Sequence, residues 1–294
     1  MELIKKQIHM NQWKGNVTTQ ITLDDDFIVP DTLDDMEQVM LDTGEIQIET
    51  VKNQGDKVAV KGKLEFQVLY RKESGGLQTL GGNIPFEEVV NVQGLEEKDY
   101  VGLNWMLEDL NTDMINSRKL GVQAIITLQV RVETLRDVEA AVDVDMENNS
   151  RPAGAGMSDT DGAGQVQVET LKRTANAAAI AVRRKDTYRI KEELSLTGGK
   201  PNIGQLLWRE MKLRDVTAKP LDGRLHLDGE LSVFVIYGAE DENMPVQWLE
   251  ETIPFSGDME MGDVKEDQIP MVTVRLAHKD MEAKPDYDGE MREM

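Results

Sequence analysis

Residues 58–70, VAVKGKLEFQVLY, and residues 225–237, LHLDGELSVFVIY, share one pattern, with glycine at the fifth position and tyrosine at the last. Large apolar side chains occupy alternate positions in both stretches, as in a half-buried β-strand. Leu69 interrupts the polar face of the first stretch, and Phe234 and Ile236 interrupt that of the second. We therefore predict two equivalent strands, the second of which is covered on both faces at its end.

The glycines and tyrosines of these strands are candidate fold-signature residues. A glycine within a strand usually marks a bulge, a bend or the close approach of another segment. Its presence at the same place in both stretches indicates one backbone geometry that is built twice. The alternation places the tyrosines in the core, at the strand ends. The four residues are Gly62, Tyr70, Gly229 and Tyr237.

The correspondence between the two halves extends beyond these strands and indicates a tandem duplication. Gly62 and Gly229 lie 167 positions apart, and the same offset relates Tyr70 to Tyr237. The tripeptide IPF occurs at 84–86 and again at 253–255, an offset of 169, so the loop before it is longer in the second copy. We predict a first domain over residues 1–144, a flexible linker rich in Gly, Ala, Asp and Ser over 145–165, and a second domain over 166–294.

Each copy is predicted to be all-β, mainly an antiparallel sandwich, with one short helix. The helices are expected near Thr32–Leu41, where Asp31 or Thr32 would cap the first turn, and over Pro201–Trp208. The strands of the first copy are separated by turn residues such as the ESGG of 73–76. They are an extended segment at about 6–24, then Glu45–Val51, Lys57–Arg71, Leu77–Val92, Tyr100–Leu107 and Leu120–Leu135.

The last strand of the first copy has no full counterpart in the second. An alignment of Gly289 with Gly121 makes Glu290–Arg292 the start of this strand, and the sequence ends at Met294. An unpaired sheet edge is a liability because it can pair with another chain. We expect either that these residues are part of a longer protein or that a partner supplies the strand.

Charge and residue content exclude several classes of function. The chain has 55 acidic and 33 basic residues, and its net charge of −22 disfavours nucleic acid and anionic membrane surfaces as partners. Cysteine is absent, which excludes disulfides, thiolate nucleophiles and cysteine-ligated metal sites. No apolar run reaches the length of a membrane span, and the N-terminus has no secretory signal. We predict a soluble, intracellular protein without membrane insertion.

The sequence contains no recognisable catalytic, metal-binding or cofactor-binding motif. His9, His226 and His278 lack metal-ligand spacing, and no G-x-S-x-G nucleophile motif occurs. The DTDGAG of 159–164 resembles part of a calcium loop but lacks the remaining ligands. The TGGKPN of 197–202 lacks the spacing of a phosphate-binding loop. We interpret both stretches as loops and predict no enzyme activity, no metal site and no cofactor.

The segments ELIKKQ, DTLDDMEQVMLDTGEIQIE and DKVAVKGKLEFQVLY, continuing through IPFEE, resemble the SPOCS domain of spore-forming Clostridia. The resemblance is strongest over residues 57–70 and covers nearly all of the chain except the linker; the second copy begins its strand with Arg224 in place of Lys57. It implies a sporulation protein of the mother-cell cytoplasm, at the forespore and spore-coat surface. The implied partners are spore-coat morphogenetic proteins or further copies of the chain itself.

Proteins of this family often carry a LysM module that is linked to binding of the coat-base ATPase. The sequence contains no counterpart of that module, so binding of the ATPase cannot be assigned to these residues.

Three functional hypotheses follow, of which a non-enzymatic scaffold is the first. Its two β-rich domains would bind proteins through sheet edges or exposed faces, with avidity gained from the linkage. The alternative is a module that binds cell-wall or cortex glycan, which requires exposed aromatic rings at equivalent places in both copies. The alternation directs Tyr70 and Tyr237 inward, which disfavours this alternative. The third is a hydrolase, which requires paired carboxylates with raised pKa in a pocket.

Overall fold

The computed structural model describes residues 2–145, 180–241 and 243–294, in which the regular elements are antiparallel β-strands. Residues 2–145 form the first unit, and residues 180–241 and 243–294 form the second unit. The strands of the first unit are β1 (Glu2–Ile28), β2 (Met36–Asn53), β3 (Lys57–Lys72), β4 (Leu77–Asn91), β5 (Tyr100–Asn116) and β6 (Lys119–Asp145). The second unit contains β7 (Ile203–Leu221), β8 (Arg224–Ala239), β9 (Val246–Glu260), β10 (Lys284–Pro285) and β11 (Met291–Glu293).

The first unit is a sandwich of two three-stranded sheets, of order β1-β6-β5 and β2-β3-β4. The alternation read from the sequence places one face of each central strand, β6 and β3, in a shared core. The sheets also approach along both margins, where β2 lies beside β5 and β1 beside β4. The all-β, antiparallel prediction is confirmed. The most buried core side chains, none more than 2% exposed, include Val58, Val60, Leu64, Val68, Tyr70, Leu120, Val122, Ala124, Ile126, Leu128, Val130 and Val132.

The second unit repeats only one of these sheets within the described residues. Its strands pair in the order β7-β8-β9, which corresponds to β2-β3-β4. β10 and β11 form a short hairpin, and Ser195 makes an isolated bridge with Glu293. Apolar side chains from the irregular segments around Leu194 and Leu276 cover the inner face of the sheet. The second unit is therefore half of a sandwich with two extended segments laid against it.

Neither of the two predicted helices forms, because Thr32–Leu41 and Pro201–Trp208 lie in turns and strands. β2 carries three bulges, of which two lie in its first part, after Met36 and after Val39, and β7 has bulges at the equivalent places. Each bulge inserts one residue and reverses the side-chain alternation. Apolar residues on the inner face therefore recur three positions apart, a spacing that resembles one face of a helix.

The predicted linker, residues 145–165, lies outside the described residues except for Asp145, the last residue of β6. Residues 166–179, at the predicted start of the second domain, also lie outside them. The division into 1–144, 145–165 and 166–294 therefore stays a prediction.

The outer faces of the sheets β2-β3-β4 and β7-β8-β9 meet in a seam between the two units. Leu69 of β3 is 1% exposed, and Leu207 and Trp208 of β7 are also buried there. Phe234 and Ile236 of β8 pack against this cluster. The seam thus contains Leu69, Phe234 and Ile236, the three residues that interrupt the polar faces in the sequence. The prediction that the end of the second strand is covered on both faces is confirmed.

Two arginines of the second unit also contact aromatic rings of β5. The guanidinium of Arg183 lies 4.1 Å from the ring centroid of Tyr100 and pairs with Glu133, and that of Arg275 lies 3.8 Å from the ring centroid of Trp105. A guanidinium at this distance from a ring is attracted by the negative charge of the ring face. These contacts hold both irregular segments of the second unit against the first.

Candidate functional site

Gly62 and Gly229 lie where an aromatic ring from the neighbouring strand crosses the backbone. Gly62 pairs with Phe86 of β4, and Gly229 pairs with Phe255 of β9. A β-carbon on Gly62 would lie 2.8 Å from Cζ of Phe86, and one on Gly229 would lie 2.6 Å from Cζ of Phe255. The facing strand, β2 or β7, carries a bulge at the same level. The glycine therefore makes room for a ring at a bent part of the sheet.

Tyr70 and Tyr237 close the core at the ends of β3 and β8, and both are fully buried. The Tyr70 hydroxyl lies 3.0 Å from the carbonyl oxygen of Asp34, and that of Tyr237 donates to the carbonyl oxygen of Pro201 at 3.2 Å. Burial raises the pKa of both hydroxyls. Each tyrosine thus fixes the loop before β2 or β7, and neither is free to hold a ligand.

An arginine that sequence reasoning missed fixes the same loop in each unit. The guanidinium of Arg118 donates to the carbonyl oxygens of Val29 and Leu33 and to the carboxylate of Asp35. The guanidinium of Arg292 makes the equivalent bonds in the second unit. Its acceptors are the carbonyl oxygens of Thr197 and Lys200 and the side-chain oxygen of Asn202.

This equivalence corrects the alignment of the last strand. Arg118 and Arg292 are 174 positions apart, whereas the sequence alignment used an offset of 168. Gly289 lies in the hairpin turn with φ +83°, so it is not the counterpart of the strand residue Gly121. The fully buried first inward residue of β6, Leu120, corresponds to Met294, which is 6% exposed. The described part of the second unit therefore contains only the first residues of this strand.

Two irregular segments, residues 180–193 and 269–283, hold the sequence positions that β1 and β5 hold in the first unit. Their counterparts in β1 and β5 pair with either side of β6. The turn before the second segment confirms its alignment, because the amide of Gln268 bonds the carbonyl oxygen of Lys265 as the amide of Asp99 bonds that of Glu96. Across the described residues, neither segment forms a ladder with another strand. We call the space between residues 270–274 and β7 the groove.

Apolar side chains line the groove. Val272 and Val274 point into it and remain 43% and 38% exposed, whereas Arg275 points to the first unit. The segment thus already alternates as a strand does. A cavity of about 470 Å³ separates it from β7. The residues that line this cavity are Leu213, Arg214, Asp215, Val216, Ala218, Pro270, Val272 and Val274.

Among the described residues, His226 lies in a cluster of polar side chains on β8 and β9, with Ser256 Oγ 3.5 Å from its Nε2. His226 lies between Asp258, at 2.6 Å from Nδ1, and Asp228, at 3.1 Å from Nε2. The hydrogen bond to Asp258, together with the charge of Asp228, raises the pKa of His226. Within the parts of the chain that the structure describes, no group of three or more His, Asp or Glu side chains could hold a metal ion.

Among the described residues, exposed aromatic rings do not form an equivalent pair in the two units. Trp13 and Trp248 are each 57% exposed, at positions that do not correspond in the two copies. Each carries a cation over its ring, Arg131 at 5.0 Å from the centroid of Trp13 and Lys200 at 5.3 Å from that of Trp248. The described residues therefore offer no repeated aromatic platform for a sugar ring.

The chain belongs to the SPOCS-domain family. The family model described as "SipL, SPOCS domain" matches residues 35–115 and 202–284, together more than half of the chain. Both segments begin at the strand before the repeated glycine strand and are offset by 167 positions at their start. The tandem duplication is thus confirmed, and the family indicates a sporulation-related role in protein interaction. Neither the curated proteins nor the solved structures contain a match.

Across residues 2–145, 180–241 and 243–294, the structure has no helix long and apolar enough to cross a membrane.

Proposed function

We propose that the chain is a non-enzymatic scaffold of spore-coat assembly, which acts in the mother cell and tethers coat proteins at the forespore surface. The observation that carries this proposal is the match of two SPOCS segments, one in each unit. The units pack through the seam of Leu69, Leu207 and Trp208, so they present two different surfaces from one body. A protein with two linked binding surfaces gains avidity without any new contact.

The negative net charge of the chain favours partners with basic surfaces. A net charge of −22 attracts proteins with basic patches and repels other acidic surfaces. Such steering raises the association rate and falls with ionic strength. Spore-coat morphogenetic proteins with basic surfaces are accordingly the partners that we propose.

The test is the position of the protein in sporulating clostridial cells. A fluorescent fusion of the full chain is expected to form a ring or cap at the forespore, and affinity capture from these cells is expected to recover coat morphogenetic proteins. A fusion without a partner domain, expressed from the same promoter, is the control. Diffuse mother-cell fluorescence together with a capture that contains no coat protein would overturn the proposal.

A further inference from the structure

We propose that Arg184, Tyr188 and Lys200 block the outer edge of β9 from pairing with a strand of another chain. Without them, this edge becomes an association surface between copies of the chain. We call the three side chains the edge caps. The inference concerns one strand of the second unit and does not depend on the role in the spore coat, so either can fail without the other.

β9 is an edge strand with a long, regular row of outward main-chain groups. Among the described residues its sheet has the order β7-β8-β9, so no strand pairs with its outer side. The register between β8 and β9 runs without a bulge, and alternate residues of β9 therefore direct their amide and carbonyl groups outward. The even-numbered residues form this set, because the carbonyl oxygens of Trp248, Ser256 and Glu260 accept bonds from outside the sheet. Such an edge can serve as a template for pairing with another chain.

Two of the edge caps occupy outward carbonyl groups in the last part of β9. The guanidinium of Arg184 donates to the carbonyl oxygen of Glu260 at 2.7 Å, and the hydroxyl of Tyr188 donates to that of Ser256 at 2.9 Å. Two donors that are four residues apart thus bond carbonyl groups that are four residues apart, in the opposite order. The segment that carries them therefore runs antiparallel to β9 and contacts it through side chains, without forming a ladder.

Lys200 and Pro254 remove further bonding groups from the same edge. The ammonium of Lys200 donates to the carbonyl oxygen of Trp248 and lies 5.3 Å from the centroid of its ring. Pro254 belongs to the outward set and has no amide hydrogen to donate, which is where an edge strand tolerates proline. Four of the seven even-numbered positions from 248 to 260 therefore lack a free donor or a free acceptor. An incoming strand would have to displace the edge caps before it could pair.

Gly257 makes room for the ring of Tyr188. A β-carbon on Gly257 would lie 2.5 Å from Cε2 and from the hydroxyl oxygen of Tyr188, so the ring lies directly against the backbone of β9. The ring also lies beside that of Phe255, with 6.1 Å between the centroids. Tyr188 is nevertheless 39% exposed, as expected for a side chain that covers the margin of a sheet. An added methyl group at Gly257 would displace this cap without changing any of the three cap residues.

In a solution of the pure protein, the strand that the edge caps exclude is β9 of a second copy. Two identical antiparallel edges that are related by a twofold axis supply each other with donors and acceptors. The repulsion between two copies of net charge −22 is screened by salt, so the association is measured at about 0.5 M salt.

The test compares the wild type with a triple variant that combines Arg184→Ala, Tyr188→Ala and Lys200→Ala. Sedimentation velocity is expected to show a monomeric wild type and a dimer of the triple variant, with a Kd at least about tenfold lower. In this dimer the outward amides of Glu250 and Thr252 should exchange with solvent at least about tenfold more slowly than in the wild type.

Three further variants locate the association to the edge of β9. Gly257→Ala should also promote dimerisation, and it keeps the test decisive if the triple variant does not fold. Tyr287→Ala should leave the wild type monomeric, because Tyr287 is 94% exposed and lies in the β10–β11 turn. Thr252→Pro, added to the triple variant, should restore the monomer, because it removes an outward amide without breaking a bond to β8.

Three results would overturn the proposal. One is a triple variant and a Gly257→Ala variant that are as monomeric as the wild type. Another is an association that Thr252→Pro does not reverse, which would place the contact elsewhere. The third is a wild type that already dimerises with its β9 amides protected, because the edge caps would then not block the edge.

Discussion

Substitution of Gly62 by alanine tests whether atoms of the neighbouring strands leave no room for a side chain at this position. The added β-carbon would lie 2.6 Å from the backbone carbonyl oxygen of Gln47 and 2.8 Å from Cζ of Phe86. Real β-carbons essentially never lie so close to other heavy atoms, so both neighbours must move. The phenylalanine ring can rotate, but the carbonyl belongs to β2 and moves only with its strand.

The cost follows from the size of these displacements. Insertion of one methyl group into a packed region typically costs 1–3 kcal/mol. Because one of the two neighbours is backbone, we expect Gly62→Ala to lower the free energy of unfolding of the first unit by about 3 kcal/mol. At Gly229 the crowding atoms are side-chain carbons of Phe255 and Val216, which can give way, so Gly229→Ala should cost less.

Gly102→Ala in β5 is the matched control. Its β-carbon would have no heavy atom closer than 3.6 Å, an ordinary contact distance. Because alanine restricts the unfolded chain more than glycine does, this variant should be neutral or stabilised by up to about 1 kcal/mol. The assay is urea unfolding combined with hydrogen exchange of the β3 amides, which reports the first unit separately from the second. The reasoning is refuted if Gly62→Ala is as stable as the wild type or if both alanine variants lose the same free energy.

Three further outcomes are expected. Arg118→Gln should lower the free energy of unfolding of the first unit by about 2 kcal/mol in urea titrations, since charge-assisted bonds to the loop are lost; an unchanged midpoint would contradict this. Burial would raise the pKa of Asp99, but hydrogen bonds from Lys14 and the amide of Glu96 hold it below its ordinary value. Asp99→Asn should therefore cost about 2 kcal/mol at pH 7, and the difference from the wild type should shrink as the pH falls through the lowered pKa; a difference that does not vary with pH would count against the ion pair. The raised pKa of His226 means that its pairing stabilises the protein fully below the unfolded-state pKa and is lost as pH rises through the folded-state pKa. The stability difference between wild type and His226→Gln should accordingly be largest in mild acid and vanish in mild base, and the reverse trend would exclude this ion pair.

The strands and the duplication could be predicted from the sequence because they depend on side-chain alternation. Residues 57–71 were predicted as a strand and the structure has Lys57–Lys72, and the interrupting residue Leu69 lies in the seam. Alternation is a local property, and any segment that covers one face of a sheet must show it.

The helices were predicted wrongly because of bulges in β2 and β7. At these bulges the apolar residues that face inward recur three positions apart, where a regular strand would place them two apart. Bulges depend on tertiary pairing and leave no local signal that separates them from a helix turn. The equivalence of Arg118 and Arg292 was missed for a related reason. The turn before Arg292 is longer than the turn before Arg118. An alignment with a constant offset therefore pairs Gly121 with Gly289, which lies in that longer turn.

The groove could not be predicted from the sequence, because the sequence does not show how residues 269–283 lie against β7. The structure shows that they stay extended, with Val272 and Val274 turned toward an open cavity and Arg275 held against Trp105.

Hydrogen exchange of the full chain tests the central claim most directly. The measurement compares residues 180–193 and 269–283 with their counterparts in β1 and β5. We predict that the amides of both second-unit segments exchange within seconds to minutes, near the rate of open loops, while their β1 and β5 counterparts are protected by pairing with β6. Equal and strong protection of all four stretches would show that the second unit is a closed sandwich, and it would contradict the account.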